Sequence, residues 1–438
     1  MLVPGQRLAS MTYSRRAMRL RDSRGFRPFW TASTVSAFGS QVTTFAVAVL
    51  IVTTLGGTAA DVGLVNAARW LPYLLLGLVV GALVDRVRRK PLLVGTDLAR
   101  AALLCLVPLL ALPDLLSVPM LIAIMTLFGM ASLVNDAAHQ SFLPRLLPRE
   151  TLPWANARLE QSSAAAETSG PAVAGGLVSW LGAPVAVLVD AASYLASALL
   201  TARIPVEEPP APIRGPLLRE ISQGLGWVYG HRMLRPLALS THGWTLFAAM
   251  LGAVYVPYGL LELDFSALGL GLTLAAAGLG GLVGSGLSER WGRRLGIAVP
   301  AAWLLDAVGI AVIAVTPVGG LIVAGAGQFL NGLGLGLSSP LELSYRQAVT
   351  PDRLQARMNA TMRSFNRAAV VIGAPVGGLV ADAVGFRFAL WLAAAGIVVA
   401  ALVLAASPFR HAGRGRGPDV QLCRGNGPTP MSRPDRPQ

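Results

Sequence analysis

Twelve long apolar runs divide the chain, and each holds about 20 residues, the number that an α-helix needs to cross a lipid bilayer. Inside lipid a chain satisfies its backbone hydrogen bonds internally, so runs of this length predict helices. The 438 residues are 54% apolar and 13% charged, about half the charged fraction of a soluble domain. We therefore predict an all-α membrane protein with twelve transmembrane helices. The predicted spans are 29–55, 61–84, 91–112, 118–140, 158–182, 184–203, 236–260, 266–288, 295–316, 320–343, 360–382 and 387–407.

The basic residues are concentrated in alternate connectors between these runs. Lys90 is the one lysine among 36 basic residues, and it closes the densest group, RVRRK at 86–90. Under the positive-inside rule this distribution predicts a multi-pass protein of the cell membrane with both termini and the RVRRK connector in the cytoplasm, close to anionic lipid. A nucleic-acid-binding domain would gather its basic residues on one soluble face. The net charge of +14 therefore does not indicate a nucleic-acid partner.

The two halves of the chain share a pattern at an offset of 203 residues. The matching pairs are Ser141 and Ser344, Pro148 and Pro351, Asn156 and Asn359, Gly170 and Gly373, Gly175 and Gly378, and Gly182 and Gly385. Six matches at one offset predict a duplicated six-helix unit, since transporters are commonly built from internal repeats. The predicted organisation is an N-terminal tail (1–25), a first bundle (26–203), a linker with an amphipathic helix (204–235), a second bundle (236–407) and a disordered tail (408–438).

The connector between the second and third spans carries a family motif. It runs Gly81-Ala-Leu83-Val-Asp85-Arg86-Val-Arg88-Arg89-Lys90. This resembles the signature Gly-x-Leu-x-Asp-Arg-x-Gly-Arg-Arg/Lys of the major facilitator superfamily, with Arg88 at the position of the family's glycine. Other stretches resemble its branch of enterobactin exporters and macrolide-efflux proteins. They are FRPFWTASTVSAFGS, AARWLP, TDLARA, SFLPRLLPRETLPWANA, GPAVAGGL and VDAASYLASALL. The resemblance implies two pseudo-symmetric six-helix bundles (the major facilitator fold), a central cavity and alternating access.

The fifth span carries a second motif of this family. Gly170, Pro171 and Gly175 resemble the helix-5 motif that is associated with export, although the spacing is one residue longer than in its commonest form. Pro171 removes a backbone donor and Gly170 removes a side chain, so this helix can bend and pack closely. A helix that serves packing alone is the alternative.

The resemblance also implies a gate at the cytoplasmic side, because the family places helix 2 beside helix 11 and helix 5 beside helix 8. We predict that Asp85 pairs with Arg363, Arg367 or the N-terminal end of their helix when this side is closed. The repeat likewise places Glu289 near Arg158. A simple helix cap is the alternative for Asp85. The predicted gate residues are Gly81, Asp85, Arg86, Arg89, Lys90, Glu289, Arg290, Arg363 and Arg367.

Charged groups inside the spans are costly and are therefore candidates for function. Glu160 and Glu167 lie two turns apart on one helical face, and we predict Glu167 as the proton-coupling residue, with a salt bridge to Arg69 as the alternative. Arg69 either faces the cavity, where it attracts an anionic substrate or pairs with an acid, or extends outwards to the headgroups. His242, in the seventh span, is a candidate cavity residue.

Other ionisable groups are predicted to have structural roles or none. Asp97 and Arg100 lie three residues apart in the third span and can pair on the helix surface. Asp190 and Asp306 lie in spans that the resemblance places at the periphery, and no role is assigned to them.

Together these features predict a monomeric, proton-coupled secondary transporter that exports small amphipathic compounds, such as a drug, an antibiotic or a siderophore. An uptake carrier of the same fold is the first alternative, and a non-transporting membrane receptor or scaffold is the second. The sequence lacks a Gly-x-x-x-x-Gly-Lys-Ser/Thr phosphate-binding loop. It shows no motif for a metal or for catalysis, so we predict no enzyme activity and no cofactor. The predicted partners are the small-molecule substrate, protons and membrane lipid.

Overall fold

A computed structural model describes residues 25–84, 86–206, 217–291 and 294–412 of the chain. Helices make up nearly all of this part, and no strand is present in it. The helices are α1 (Phe26–Thr53), α2 (Ala59–Val84), α3 (Arg89–Ala111), α4 (Val118–Leu146), α5 (Leu152–Leu181), α6 (Ala183–Ala202), α7 (Leu217–Gly230), α8 (Leu234–Leu261), α9 (Ala267–Trp291), α10 (Leu295–Ala314), α11 (Leu321–Val349), α12 (Asp352–Val384) and α13 (Phe386–Ala406).

All twelve predicted spans correspond to long helices. Within the described residues, ten of these helices are long and apolar enough to cross a membrane by composition alone, and α2 and α5 run between them. Four helices extend well beyond their predicted spans: α4 to Leu146, α5 from Leu152, α11 to Val349, and α12 from Asp352. Hydropathy identifies only the part of a helix that lies in lipid, whereas the backbone hydrogen bonds continue into the polar region beyond it.

The helices form two bundles with the same internal packing. In the first, α1 packs against α5 and α6, α3 against α4 and α6, and α2 against α4. In the second, α8 packs against α12 and α13, α10 against α11 and α13, and α9 against α11. Each contact in one bundle thus has a counterpart in the other. The predicted architecture of two pseudo-symmetric six-helix bundles is confirmed.

Glycines of the sequence repeat occupy equivalent places in the two bundles. A Cβ atom on Gly170 of α5 would lie 2.7 Å from the side chain of Gln41 of α1, and one on Gly373 of α12 would clash with the carbonyl group of Leu246 of α8. Lipid gives little hydrophobic drive for helix association, so such close backbone approach is a main source of packing energy. The two packing sites follow the pseudo-symmetry of the bundles.

The turns that follow α5 and α12 repeat in the same way. Gly182 and Gly385 connect α5 to α6 and α12 to α13, and their φ angles are +79° and +121°. Residues with a side chain rarely adopt positive φ angles of this kind, so the tight turn favours glycine at both positions.

The linker helix α7 packs against the second bundle. Arg357 of α12 donates hydrogen bonds to Gln223 and, at 3.2 Å, to Glu220, while Trp227 donates to Thr350 at 3.1 Å. Part of the predicted linker thus forms a helix, and its contacts join it to the second bundle.

The chain after α13 remains folded for a few more residues. Phe409 is buried against Tyr345, and Gly296 donates a backbone hydrogen bond of 3.1 Å to Ala412. Residues 408–412 therefore belong to the second bundle, whereas the sequence predicted that the disordered tail would begin at 408. The predicted tail residues 1–24 and 413–438 lie outside the described part of the chain.

The two ends of the molecule differ in charge. We call the end that carries the 86–88 connector, α7 and residues 408–412 the basic end. The end that carries Asp114, Glu262 and Asp264 is the acidic end. The bundles meet mainly along two helix pairs, α2 with α12 and α5 with α9. These are the pairs that the family resemblance implied.

Candidate functional site

At the acidic end, α2 and α12 approach with almost no space between their backbones. A Cβ atom on Gly63 would clash with the carbonyl group of Ala374 and lie 2.9 Å from the Cα of Pro375. One on Gly378 would clash with the carbonyl of Ala59 in the same way. Interiors this dense tolerate no added atoms without a shift of the helices. The acidic end is therefore closed along this helix pair.

A carboxylate from α12 completes this closure. Asp382 accepts hydrogen bonds from the backbone N–H groups of Ala59 and Ala60 at 3.1 and 2.9 Å. These are unpaired donors of the first turn of α2, where the helix dipole also favours a negative charge. Asp382 thus caps a helix of the opposite bundle, and this contact must break if the bundles separate at the acidic end.

Replacing Asp382 with alanine is expected to favour opening of the acidic end. Loss of a helix cap costs about 0.5–2 kcal/mol, roughly a 2- to 30-fold change in population. Asp382→Asn keeps a side-chain oxygen acceptor and is expected to shift the balance less. Distances between spin labels on Leu115 and Val318, which are exposed connector residues of the two bundles at this end, would measure the shift. An unchanged distance distribution in Asp382→Ala would contradict a gating role.

The helix-5 motif lies at the second contact between the bundles. A Cβ atom on Gly175 would lie 2.6 Å from the carbonyl oxygen of Ala267 of α9, and one on Gly271 of α9 would clash with the carbonyl oxygen of Pro171. Further along, Gly278 of α9 lies against Thr168 of α5. The motif therefore packs α5 closely against the opposite bundle, and Gly170 packs the same helix against α1.

At the basic end the predicted gate residues are scattered. Asp85 lies outside the described residues. A Cβ atom on Gly81 would have no neighbour within 4 Å. Lys90 donates to the backbone carbonyl of Ile204 at 2.8 Å and so links α3 to the end of α6. Arg89 is buried and Arg367 is half-buried. Four other predicted gate residues are exposed: Arg86, Glu289, Arg290 and Arg363.

Arg367 contacts the middle of α2 and not its basic end. Its guanidinium lies 3.6 Å from the ring centre of Trp70 and 5.9 Å from that of Tyr73. The antiparallel register agrees with this position, because moving eleven residues along α2 from Ala59 to Trp70 moves the contact back eleven residues along α12. The same register places Val84, the last residue of α2, level with Arg353 at the start of α12.

This register determines which part of α12 is level with the connector between α2 and α3. Arg363 is about ten residues beyond Arg353 on α12, or about 15 Å at 1.5 Å per residue, and Arg367 lies one turn deeper still. Both arginines therefore lie deeper along the bundle than the end of α2, whereas the start of α12, which carries Asp352 and Arg353, is level with it. Asp85 lies outside the described residues, so its pairing with Arg363, Arg367 or the N-terminal end of their helix stays a prediction.

The two candidate acids of α5, Glu160 and Glu167, face the space between the bundles. Thr168 of α5 faces α9, Gly170 faces α1, and Glu167 lies between these two directions on the helix. Glu160, two turns earlier, shares its face. Both carboxyl groups are exposed. They are therefore accessible in this conformation.

Arg69 extends towards α1 and α4. It donates a hydrogen bond of 2.8 Å to Thr44, and its guanidinium lies 5.4 Å from the ring centre of Phe128. It forms no ion pair with Glu167 within the described part of the chain, so the predicted salt bridge is not formed in this conformation. Arg69 is half-buried and free to meet an anionic group.

His242 connects the linker helix to α12. It is hydrogen-bonded to Tyr229 of α7 at 3.0 Å and to Asn366 of α12 at 2.6 Å, and it stacks on Phe365. Burial raises the pKa of the Tyr229 hydroxyl above its usual value, so this hydroxyl remains protonated near neutral pH. His242 therefore joins α8 to α7 and α12, and its partner Asn366 lines a cavity.

The predicted Asp97–Arg100 pair is present and belongs to a larger buried network in the first bundle. Asp97 accepts from Arg100, from Asn135 at 3.0 Å and from Ser197 at 2.7 Å, and Arg100 lies over the ring of Tyr194. This network ties α3, α4 and α6 together. Buried charges persist when they are paired and hydrogen-bonded in this way.

Sequence reasoning missed a cavity of about 130 Å³ in the second bundle. It contains Glu342 and Arg346, one turn apart on α11, together with Trp244 of α8 and Trp303 of α10. Glu342 is 7% exposed and accepts a hydrogen bond of 3.1 Å from Thr241. The remaining lining residues are Thr245, Leu335, Ser338, Ser339 and Asn366. The only sequence signal was an acid at the very end of a predicted span.

The chain matches known proteins over most of its length. Residues 20–415 match the family model MFS_3, described as transmembrane secretion effector. The multidrug efflux pump Tap of Mycolicibacterium fortuitum is 27% identical over 76% of this chain and 83% of its own length. Macrolide efflux protein A of Streptococcus pyogenes is 23% identical over 86% of this chain and 94% of its own length.

A solved structure gives the same fold at low identity. A bacterial homologue of the iron transporter ferroportin, in an inward-facing state, superposes with a TM-score of 0.69 at 15% identity and covers 86% of this chain and 97% of its own. These relatives are transporters and not enzymes, in agreement with the motifs of the connector and of α5. The chain is therefore a multi-pass membrane transporter of the major facilitator type and belongs to the MFS_3 family of transmembrane secretion effectors.

Proposed function

We propose that this protein exports small amphipathic compounds from the cytoplasm in exchange for protons. Two relatives named for efflux, of multiple drugs and of macrolides, support the direction and the substrate class. The positive-inside rule supports a basic end in the cytoplasm, with both termini on that side. The protein acts in this proposal as a monomer in the cell membrane.

The observation that carries the proposal is the closure of the acidic end beside exposed polar groups between the bundles. Gly63 and Gly378 close one helix pair and Gly175 closes the other, whereas Glu160 and Glu167 are exposed. With the basic end in the cytoplasm, this conformation receives substrate from inside the cell. Transport then requires the opposite conformation, in which the glycine contacts separate.

Glu167 is the proposed proton carrier. It lies well inside α5, at the level where α5 meets Gly278 of α9, and its environment changes when these helices move apart. A carboxyl group whose surroundings alternate between open and closed can bind a proton on one side of the membrane and release it on the other. Glu160, on the same face and nearer the basic end, is a relay position for this proton.

Glu167→Gln is expected to abolish proton-driven transport while it leaves substrate exchange intact, since glutamine keeps the shape of the side chain but carries no proton. In inside-out vesicles with an acidified lumen, the native protein should accumulate ethidium or radiolabelled erythromycin, and the variant should accumulate at least tenfold less. Exchange of labelled for unlabelled substrate, without a proton gradient, should persist. Glu150→Gln, an equivalent change at an exposed connector residue, is the matched control.

The same vesicles distinguish the alternatives. An uptake carrier would accumulate substrate in whole cells and not in inside-out vesicles. A receptor or scaffold would move none of the probes in either direction. Full proton-driven transport by Glu167→Gln would contradict its role in coupling while leaving export itself supported.

A further inference from the structure

We propose that the cavity around Glu342 is the binding site for the positively charged group of the substrate. The proposal rests on the function proposed above, because it assigns a ligand class to the exporter. It concerns the second bundle, whereas the proton carrier proposed above lies in the first.

The first step is the charge of Glu342. Its side chain is almost completely buried, and one carboxylate oxygen accepts from Thr241. No cation lies within ion-pair distance of it in the described part of the chain. Arg346, one turn along α11, lines the same cavity but does not pair directly with it. A buried carboxylate without a direct ion-pair partner is costly and is stabilised further by a bound cation. An organic ammonium group that enters the cavity would supply the missing charge.

The second step is the aromatic wall of the cavity. Trp244 and Trp303 lie nearly parallel, with ring centres 6.3 Å apart and an angle of 19° between their planes. Indole rings attract cations through their electron-rich faces, most strongly when water is excluded. The rings also supply an apolar surface for the body of an amphipathic ligand, beside the hydroxyl groups of Thr245, Ser338 and Ser339.

The third step is a second buried acid behind this wall. Asp306 is 1% exposed and accepts hydrogen bonds from the indole N–H of Trp244, at 2.7 Å, and from Asn331. A carboxylate that accepts from an indole N–H fixes the orientation of the ring and makes its face more electron-rich. Asp306 therefore acts through Trp244 as a positioning residue. Its otherwise unexplained burial has a function in this arrangement.

Among the described residues that line this cavity, Arg346 is the one cation. It lies one turn from Glu342 towards the basic end, is half-buried, and its Nε has no hydrogen-bond partner. No ion pair joins it to Glu342. Glu342 is the more completely buried of the two groups. A cation bound beside it therefore gains more from the carboxylate than it loses to Arg346, although Arg346 weakens its binding.

Opposite effects on two probes of similar size test the proposal. Isothermal titration calorimetry on the purified full chain in detergent would use benzyltrimethylammonium as the cation and benzenesulfonate as the anion. We expect Glu342→Gln to weaken binding of the cation at least tenfold, and Arg346→Gln to strengthen it severalfold. Asp306→Asn should weaken binding of the cation severalfold without weakening binding of the anion. A purely structural role of Asp306 would instead weaken binding of both probes. Glu150→Gln should change neither.

Two results would overturn the proposal. One is unchanged cation binding in Glu342→Gln. The other is a protein that does not bind the cation but binds the anion, with weaker anion binding in Arg346→Gln. If a variant loses its fold, its size-exclusion profile and melting temperature will show this, and Trp244→Phe then serves as the second test of cation binding. The assay needs neither a proton gradient nor flux. Normal binding without transport in vesicles would therefore contradict the export function alone.

Discussion

A leucine at position 63 is expected to remove most of the transport activity by preventing closure of the acidic end. Gly63 of α2 lies against Ala374 and Pro375 of α12, and an added side chain has no space there. Overpacking a dense interface costs about 1–3 kcal/mol, roughly a 5- to 150-fold shift between two conformations. The conformation that is closed at this end would lose that population, and proton-driven accumulation in inside-out vesicles should fall at least tenfold.

A second glycine on the same helix provides the control. A Cβ atom on Gly77 would have no neighbour within 4 Å, so Gly77→Leu changes the composition of α2 equally without a clash. Spin labels on Leu115 and Val318 should show longer distances at the acidic end in Gly63→Leu and native distances in Gly77→Leu. Equal activity of the two variants would show that the close contact between α2 and α12 is not required for transport.

The fold was predictable from the sequence because lipid imposes a simple rule on each helix. A run of about 20 apolar residues must satisfy its backbone internally, and the repeat then relates the two halves. Residue pairs such as Gly170 with Gly373 and Gly182 with Gly385 indicated equivalent positions. The structure places both pairs in equivalent contacts and turns. The family resemblance added the order in which the helices meet.

The contacts between helices were predicted less well, because they depend on helix rotation and register. Asp382 and Ala60 are 322 residues apart, and no local pattern relates a carboxylate to a cap on a distant helix. The level of Arg367 beside Trp70 depends on the register of α12 on α2. Glu342 was overlooked because its burial results from packing by α8 and α10, which hydropathy along α11 does not describe.

Reversing the charge of Glu289 is expected to impair closure of the basic end, and a second reversal at Arg158 is expected to restore it. Thr168 of α5 lies against Gly278 of α9. Eleven residues further along α9, Glu289 is therefore level with Ala157 and Arg158. In the present conformation Arg158 donates to Gln161 at 3.3 Å, and Glu289 is exposed. We propose that the two side chains pair when the basic end closes.

The size of the effect follows from the environment of the closed gate. Two unit charges about 4 Å apart attract by ~1 kcal/mol in water and ~4 kcal/mol at an effective dielectric constant of about 20. Glu289→Arg replaces attraction by repulsion, so transport should fall at least tenfold. Spin labels on Val87 and Leu343 should then report a larger open fraction at the basic end. Glu150→Arg introduces the same charge change at an exposed connector position and should transport at the native rate.

The double variant decides whether the two residues act as a pair. Arg158→Glu with Glu289→Arg restores opposite charges in reversed order, so a direct latch predicts recovery to within a few-fold of native transport. Effects that merely add would mean that Glu289 acts through another group, since independent sites add and interacting sites do not. High salt offers a further check. A latch that forms at a water-exposed end should weaken as ionic strength rises, whereas the glycine contacts of the acidic end carry no charge and should be unaffected.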